Sequence, residues 1–391
     1  MNRDSAAAFD AFAVSAPGLE SIVASELVGL GIAGASIVDG GVEFSAKPRQ
    51  LWEANLHLRT ASRVLVRLAK FRALTFAELE KKARNIPWAR VVSHAQRVTL
   101  RVTCRKSRLY HSDAVAERLA RDLKARIGAE VGASERDEET DPASEETQLI
   151  IVRFDHDHCT VSADSSGAHL HQRGYRTAVT EAPVRETLAA ALVIASGWDK
   201  TSPLMDPFCG SGTIPIEAAM IAGRIAPGRH RPFRFMQWPK FESGAWKQVL
   251  AAAKRREKLD SVPAILGSDR SAASIRAATE NAERAGVSGV VRFERVDALS
   301  VEPVLPPGWL VSNPPYGVRL GDADEARTLM TQFGQRLRQR FGGWQLGLLA
   351  PARFERLRGI GLESGPQTTN GGLRVQVLTG VVPTEQGHKT N

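Results

Sequence analysis

In the second half of the chain, short apolar runs alternate with amphipathic stretches of helical period. The runs predict strands at Pro203–Met205, Ala264–Ser268, Val290–Val296, Trp309–Ser312, Leu346–Leu349 and Leu373–Leu378. The stretches predict helices at Ile214–Ala222, Ala272–Ala285 and Glu325–Phe341, after a first helix that carries Leu188, Leu192 and Val193. Such alternation is typical of a mostly parallel sheet covered by helices on both faces.

The first half predicts smaller elements. Residues 11–45 form a strand–helix–strand pattern, in which Ala11–Val14 precedes the helix and Val42–Phe44 follows it. Arg59, Arg63, Arg67 and Lys70 recur at helical spacing beside apolar residues and predict a helix. Val98–Cys104 alternates like a strand, Val115, Leu119 and Leu123 mark a helix, and Leu149–Val161 is β-rich. No internal repeat is visible.

The composition is that of a soluble protein with more than one core. With 391 residues, 43% hydrophobic and 24% charged, two or three domains are expected, and collagen-like, coiled-coil and wholly disordered classes are excluded. The three separated cysteines exclude a disulfide framework and a structural zinc site. The N-terminus lacks a signal-peptide pattern, and the longest apolar run, Leu188–Ala195, is too short for a membrane span. We expect a cytoplasmic monomer without membrane contact.

Positive charge is concentrated in one region. The whole chain carries +9, whereas residues 47–126 contain 20 Lys and Arg against six Asp and Glu; residues 127–148 then carry eight acids against one Arg. A solvated helix face explains a lone basic helix, but this concentration favours an RNA or DNA surface. Pairing of Arg63 and Arg67 with nearby acids stays open. The predicted contacts in this region are Arg101, Arg105, Lys106 and Arg108.

The sharpest motif is Asp206-Pro-Phe-Cys-Gly-Ser-Gly-Thr213, between a predicted strand and a predicted helix. Gly210 and Gly212 would let the backbone approach a ligand at the N-terminus of that helix. A dinucleotide fingerprint needs a third glycine, where Pro215 stands, and a phosphate-binding loop needs a lysine that is absent. S-adenosyl-L-methionine (SAM) fits better, because it pairs with one acid near its amino group and another at its ribose.

Acidic residues end successive predicted strands. Asp206, Asp269 and Asp297 each stand at the end of a predicted strand. Ligands of open α/β sheets bind beyond the carboxyl ends of strands, so these acids are placed to contact one. Either acid alone could equally be a helix cap or a loop residue. The predicted cofactor contacts are Asp206, Phe208, Gly210, Gly212, Thr213, Asp269, Arg270, Asp297 and Ala298.

A second motif, Asn313-Pro-Pro-Tyr316, follows the strand Trp309–Ser312. The Asn313 side-chain oxygen and the Pro314 carbonyl can each accept one N–H of an exocyclic base amine, which frees the nitrogen lone pair for a methyl group. Pro315 stiffens the loop and Tyr316 offers a ring on which an extruded base can stack. A proline turn explains Asn-Pro-Pro alone, but its spacing from the Asp206 motif makes these four residues the predicted catalytic set.

Together these motifs resemble those of class I amino-methyltransferases. Gly41-Val-Glu-Phe44, Leu58-Arg-Thr-Ala-Ser-Arg63, Ser107-Arg-Leu-Tyr-His111, His171-Gln-Arg-Gly-Tyr-Arg176 and Asn370-Gly-Gly-Leu373 narrow the resemblance to THUMP-containing RNA guanine-N2 methyltransferases. This group includes the bacterial bifunctional large-subunit rRNA methyltransferase, whose N-terminal half the chain resembles. The acidic segment 130–146 and the absence of a second catalytic domain depart from that enzyme's pattern.

The resemblance implies an α/β protein with a Rossmann-like SAM methyltransferase domain preceded by a ferredoxin-like plus THUMP RNA-binding module. The implied boundaries are residues 1–50 for the ferredoxin-like segment, 51–165 for the THUMP-like domain and 166–391 for the catalytic domain. We therefore expect formation of N2-methylguanosine in 23S rRNA with SAM as cofactor. The same chemistry on tRNA, adenine-N6 methylation of DNA, and a non-catalytic RNA-binding protein stay open.

Two other segments have competing interpretations. Phe154-Asp-His-Asp-His-Cys159 has the composition of a metal site, but a polar, solvent-facing strand is favoured and no metal is expected. Arg229 and Arg231 lie among aromatic residues, which suits either single-stranded RNA or a structural loop with Phe233 and Trp238 in a core.

Overall fold

The computed structural model describes residues 8–133, 147–176, 184–303, 306–315, 323–351, 357 and 359–384. Within these residues the chain divides into two compact units, each with its own sheet. The first unit contains the described residues of 8–15, 23–170 and 230–251, and the second contains those of 16–22, 171–229 and 252–384. The domain boundaries at residues 50 and 165 remain predictions.

The first unit contains a mixed, eight-stranded sheet of order β2-β3-β1-β4-β8-β7-β5-β6. Its strands are β1 (Phe9–Ser15), β2 (Ser36–Val38), β3 (Gly41–Ala46), β4 (Ala61–Arg72), β5 (Arg97–Arg105), β6 (Glu130–Ala133), β7 (Gln148–Asp155) and β8 (His158–Asp164). The helices in this half of the chain are α1 (Glu20–Gly29), α2 (Pro48–His57), α3 (Phe76–Ala83) and α4 (Ser112–Ile127). The predicted helix with Val115, Leu119 and Leu123 is α4, and all three side chains are buried.

The helix predicted from Arg59 to Lys70 is wrong. Most of that segment is strand β4, which pairs with β1 on one side and β8 on the other. Consecutive residues of β4 are buried on both faces of the sheet, including Val64, Leu65 and Val66. A strand covered on both faces loses the polar–apolar alternation that would identify it, and chance spacing then imitates a helix.

The segment Phe154–Cys159 also differs from its predicted continuous strand. Residues His156 and Asp157 form the tip of the hairpin between β7 and β8, with φ of +48° and +65°. Two successive positive φ values are those of a type I′ turn, which matches the twist of the flanking strands.

The second unit has the predicted, mostly parallel sheet. The order is β11-β10-β9-β12-β13-β15-β14; the first five strands are parallel, and β15 and β14 are antiparallel. The strands are β9 (Leu204–Asp206), β10 (Ile265–Asp269), β11 (Val291–Arg295), β12 (Trp309–Ser312), β13 (Gln345–Pro351), β14 (Leu362–Asn370) and β15 (Leu373–Val381). The helices in this half are α5 (Glu186–Ala195), α6 (Thr213–Ala222), α7 (Ser243–Arg255), α8 (Ala272–Ala285) and α9 (Ala323–Arg340).

Both faces of this sheet are covered. Leu310 belongs to the core that contains Phe333 of α9, whereas the next residue, Val311, belongs to the core that contains Ile216 of α6. Successive residues of a strand point to opposite faces, so the two cores lie on opposite sides of the sheet. The chain order reverses between the adjacent strands β9 and β12, and this reversal is where ligands of open α/β sheets bind.

Candidate active site

The carboxyl ends of β9 and β12 bring two predicted motifs together. Asp206 ends β9 and is 1% exposed, and Ser312 at the end of β12 donates a hydrogen bond of 2.5 Å from Oγ to Asp206 Oδ1. The backbone N–H of Phe208 donates to the same oxygen at 3.1 Å. The neighbouring strands therefore connect the glycine motif directly to the residue that precedes Asn313.

The other oxygen of Asp206 is unusual. Oδ2 is buried and has no hydrogen-bond partner among the described residues. Burial raises the pKa of Asp206 to about 7, against the opposing effect of its hydrogen bonds from Ser312 and the Phe208 N–H. A buried carboxylate oxygen without a partner carries a desolvation cost that a donor from a ligand would relieve.

The glycine loop is held by Asp269. Its Oδ2 accepts a hydrogen bond of 3.1 Å from the Gly210 N–H, and its Oδ1 accepts one of 2.8 Å from the Ser271 N–H. Asp269 is therefore in place at the end of β10, beside the loop, and each of its oxygens keeps a further lone pair for a hydroxyl donor.

Gly212 is required by packing as well as by conformation. It caps the N-terminus of α6 with φ of +82°, where a side chain would be strained. A Cβ at this position would lie 2.8 Å from the ring of Phe293 and 2.9 Å from Cβ of Ala278. The described contacts thus explain Gly212 by close packing of α6 on its neighbours, a role the sequence analysis did not assign.

Asn281 is a residue that the sequence analysis missed. It is buried on α8, and its Nδ2 donates a hydrogen bond of 3.0 Å to the Ser211 carbonyl in the glycine loop. The sequence feature that could have indicated this role is a single amide among Ala278, Ala282 and Ala285 on the buried face of that helix.

The acceptor motif is described as far as residue 315. Asn313 is half-buried, Pro314 is buried and Pro315 is exposed. Tyr316 lies outside the described residues. Asn313 follows Ser312 directly and therefore lies one residue from the hydrogen bond that joins β12 to Asp206.

The remaining predicted cofactor contacts have varied environments. Phe208 packs edge-on against Phe333, with 5.1 Å between ring centroids, and Thr213 is buried as the first residue of α6. Arg270 is exposed. Asp297 is exposed and accepts a hydrogen bond from the Leu299 N–H, while Ala298 is buried in the core beneath α9.

The predicted nucleic-acid contacts fall into two groups. Arg105, Lys106 and Arg108 are exposed at the end of β5, and Arg101 on the same strand is half-buried. Arg229 instead bonds Glu257 and the Ala285 carbonyl, and Arg231 bonds the carbonyls of residues 166, 168 and 169.

The loop that contains Arg231 surrounds an aromatic core. Phe233 and Phe235 are buried and stack with centroids 5.3 Å apart, and Trp238 is also buried. These contacts favour the structural interpretation of the loop over the RNA interpretation.

Two features are absent from the described part of the chain. No cluster of three or more His, Cys, Asp or Glu side chains there could hold a metal ion. No helix there combines the length and apolarity needed to cross a bilayer.

The sheet order, the glycine loop after β9 and the acceptor motif after β12 define a Rossmann-like methyltransferase. The model of the RMKL-like methyltransferase domain matches residues 173–354, and that of the RlmL ferredoxin-like domain matches residues 10–65. A Synechocystis protein named as an RNA methyltransferase is 34% identical over 371 residues, 94% of this chain and 95% of the relative. The chain belongs to the RMKL-like methyltransferase family.

Two other relatives add detail. The ribosomal RNA large subunit methyltransferase K/L of Syntrophotalea carbinolica is 34% identical over 94% of this chain, and the match spans 53% of the relative. The methyltransferase SMU.472, crystallised with S-adenosylhomocysteine, superposes with a TM-score of 0.84 at 27% identity, covering 98% of this chain and all of the other. The chain thus spans about half the length of the K/L enzyme and the whole of a solved methyltransferase.

Proposed function

We propose that this protein is a SAM-dependent RNA methyltransferase that forms N2-methylguanosine, with large-subunit ribosomal RNA as its substrate. The observation that carries the proposal is the hydrogen bond between Ser312 and Asp206, which joins the acceptor motif to the cofactor loop. A cytoplasmic location, predicted from the sparse cysteines, is part of the same proposal.

S-adenosylmethionine is the cofactor, and the residues present fit it. The orphaned Oδ2 of Asp206 suits a cationic ammonium group, and Asp269 beside Gly210 suits the ribose hydroxyls. Phe208, Gly210, Gly212, Thr213, Arg270, Asp297 and Ala298 complete the proposed set. When bound, SAM supplies an electrophilic methyl group on a sulfonium.

The chain's own residues act on the acceptor base. We assign the side-chain oxygen of Asn313 and the carbonyl of Pro314 to the two N–H groups of an exocyclic amine, so that the lone pair turns out of the base plane. Pro314 is buried and Ser312 is hydrogen-bonded to Asp206, so the backbone on both sides of Asn313 is anchored. Catalysis then depends on positioning, with Pro315 and Tyr316 proposed to shape the loop and stack the base.

RNA is favoured over DNA by the first unit. The basic region 47–126 lies in it, and two relatives that match both halves, the Synechocystis protein and the K/L enzyme, are named for RNA or ribosomal RNA. Residues 51–165 are our proposed THUMP-like module, with Arg101, Arg105, Lys106 and Arg108 as its proposed contacts. We propose ribosomal RNA as the substrate because the K/L relatives are named for it. This chain spans about half the length of those relatives.

A transfer assay with three substrates tests this function. The purified protein, SAM carrying a labelled methyl group, and protein-free large-subunit rRNA, tRNA or duplex DNA are incubated, and the nucleosides are identified by mass spectrometry. We expect N2-methylguanosine in the rRNA. Label in tRNA alone would reject the rRNA assignment, N6-methyladenine in DNA would reject RNA as the substrate, and failure to bind SAM would reject catalysis.

A further inference from the structure

The neighbouring strands β4, β8, β7 and β5 of the first unit end or begin at the same end of the sheet. The register pairs Arg72 at the end of β4 with His158 at the start of β8, and Arg105 at the end of β5 with Asp155 at the end of β7. The segment 105–111, which we call the Tyr110 loop, therefore lies beside the hairpin tip formed by His156 and Asp157.

Hydrogen bonds fix the Tyr110 loop on that hairpin. The Arg108 N–H donates to Asp157 Oδ1 at 2.7 Å, and the Asp157 N–H donates to Ser107 Oγ at 2.9 Å. Ser107 Oγ in turn donates to the Arg105 carbonyl at 2.7 Å. Leu109 is buried, so the loop is anchored between two exposed residues, Arg108 and Tyr110.

The loop presents an exposed aromatic ring. Tyr110 is 67% exposed, and the other large apolar residues exposed in the described chain are aliphatic: Val28, Ile37, Val38, Leu373 and Val381. Its ring lies against His111, with 4.0 Å between centroids and 40° between planes. The contact with His111 supports the ring and leaves much of it in solvent.

The cations of the Tyr110 loop have no acidic partner among the described residues. Arg105, Lys106 and Arg108 are exposed and form no ion pair there. The acids of the hairpin are engaged elsewhere, Asp155 with His156 at 2.9 Å and Asp157 with the Arg108 N–H. An exposed ring and unpaired cations on one anchored loop are the features that bind single-stranded nucleic acid by stacking and charge.

We propose that the Tyr110 loop binds an unpaired nucleotide of the RNA, with its base on the Tyr110 ring and its flanking phosphates on Arg105, Lys106 and Arg108. This site rests on the proposed function, because it assumes an RNA substrate. It consists of residues other than the acceptor motif, and it binds an unstacked base by its π-face, without base-specific hydrogen bonds. Duplex RNA offers no free base face and gains only the charge contacts.

The test is binding of a fluorescent single-stranded RNA and of its duplex at several salt concentrations. We expect Tyr110→Ala to weaken single-strand binding about 5- to 100-fold with an unchanged salt slope, and to leave duplex binding unchanged. Tyr110→Phe retains affinity, because the ring and not the hydroxyl makes the contact. Val28→Ala, an equally exposed apolar change, serves as the control.

A second pair of variants separates charge from stacking. Arg108→Ala is expected to lower the salt slope by about 0.7 for the single strand, whereas Arg121→Ala, a residue paired with Glu117, leaves it unchanged. If Tyr110→Ala weakens binding of single strand and duplex equally, or weakens neither, the stacking site is wrong. The proposed function still stands in that case if the wild-type protein transfers methyl groups to RNA. A wild-type protein that binds no RNA overturns both.

Discussion

The active site and the Tyr110 loop use polar residues in opposite ways. At the ends of β9 and β12, Asp206 and Ser312 are buried and hold each other in place. At the end of β5, Arg105, Lys106 and Arg108 are exposed and have no acidic partner among the described residues. The first arrangement selects its ligand by geometry. The second attracts phosphates by charge and distinguishes little between sequences.

The same contrast divides the basic region 47–126. Arg63 is buried on Asp164, while Arg67 and Lys70 of β4 both face Glu43. These cations stabilise the sheet, and the cations of the Tyr110 loop remain for a partner. Net charge in a sequence therefore overstates the charge that a ligand meets.

Removing the acceptor amide should have the largest effect. We expect Asn313→Ala to lower the rate of methyl transfer about 100- to 1,000-fold, the scale on which one positioned hydrogen-bonding group contributes to catalysis. The affinities for SAM and RNA should stay within about threefold of wild type, within the usual range of minor mutational effects. Single-turnover rates and calorimetric titration check this, and a large loss of SAM affinity would show that Asn313 holds the cofactor instead.

The contrast between paired and unpaired arginines can be tested next. Arg63→Ala leaves Asp164 buried without its cation, so we expect about 3–5 kcal/mol less free energy of unfolding. Arg108→Ala, the matched change at an exposed arginine, should alter it by no more than about 0.5 kcal/mol. Urea unfolding measures both, and equal losses would contradict the division.

A triple change in the Tyr110 loop should act on affinity alone. The variant with Arg105→Ala, Lys106→Ala and Arg108→Ala should bind single-stranded RNA roughly 30-fold more weakly near physiological salt. This figure follows because each lost phosphate contact removes about 0.7 from the slope of log affinity against log salt. The transfer rate at saturating RNA should not change, because none of these residues belongs to the proposed acceptor or cofactor set. A fall in that saturated rate would mean that the loop takes part in positioning the base.

The smallest expected effect is a pH dependence at Asp206. Below a pKa of about 7 its carboxyl is protonated in the folded protein, and only the carboxylate pairs with an ammonium group. SAM affinity should therefore rise about tenfold from pH 6 to pH 8, and Asp206→Asn should bind more weakly with no such rise. Isothermal titration at the two pH values distinguishes these outcomes.

The same carboxyl gives a stability signature without cofactor. Its folded pKa lies above the ordinary value of 3.8, so its contribution to stability is complete below that value and is lost as the pH rises through about 7. Burial also raises the pKa of Glu186 to about 7, so Glu186 changes stability with pH in the same direction. The contribution of Asp206 is therefore the difference in pH-dependent free energy of unfolding between wild type and Asp206→Asn.

The catalytic half was largely predictable because its strands and glycines carry strong local signals. Ala272–Ala285 is a helix at the predicted bounds, and the predicted parallel strands lie within two residues of their positions. Strand β14 was missed because it is polar, with one buried residue, Thr368. The hydrogen bond between Ser312 and Asp206 could not be predicted, since it depends on which strands are neighbours.

The basic half was harder to predict. Strand β4 lies inside its sheet and so has no polar face to reveal its period, and its arginines find partners about 25 to 100 residues away, such as Glu43 and Asp164. Local charge counting cannot see such pairs. At Arg105, Lys106 and Arg108 a turn at the end of the sheet leaves the side chains in solvent, and their role as RNA contacts stays a prediction.

The central claim is that Asn313 directs a methyl group to N2 of guanine in ribosomal RNA. The most direct measurement is nucleoside mass spectrometry of rRNA, tRNA and DNA from cells that lack the gene, complemented with wild type or Asn313→Ala. We predict that N2-methylguanosine in the large-subunit rRNA falls on deletion and returns with wild type alone. An unchanged rRNA with loss of N6-methyladenine from DNA, or full rescue by Asn313→Ala, would contradict the account.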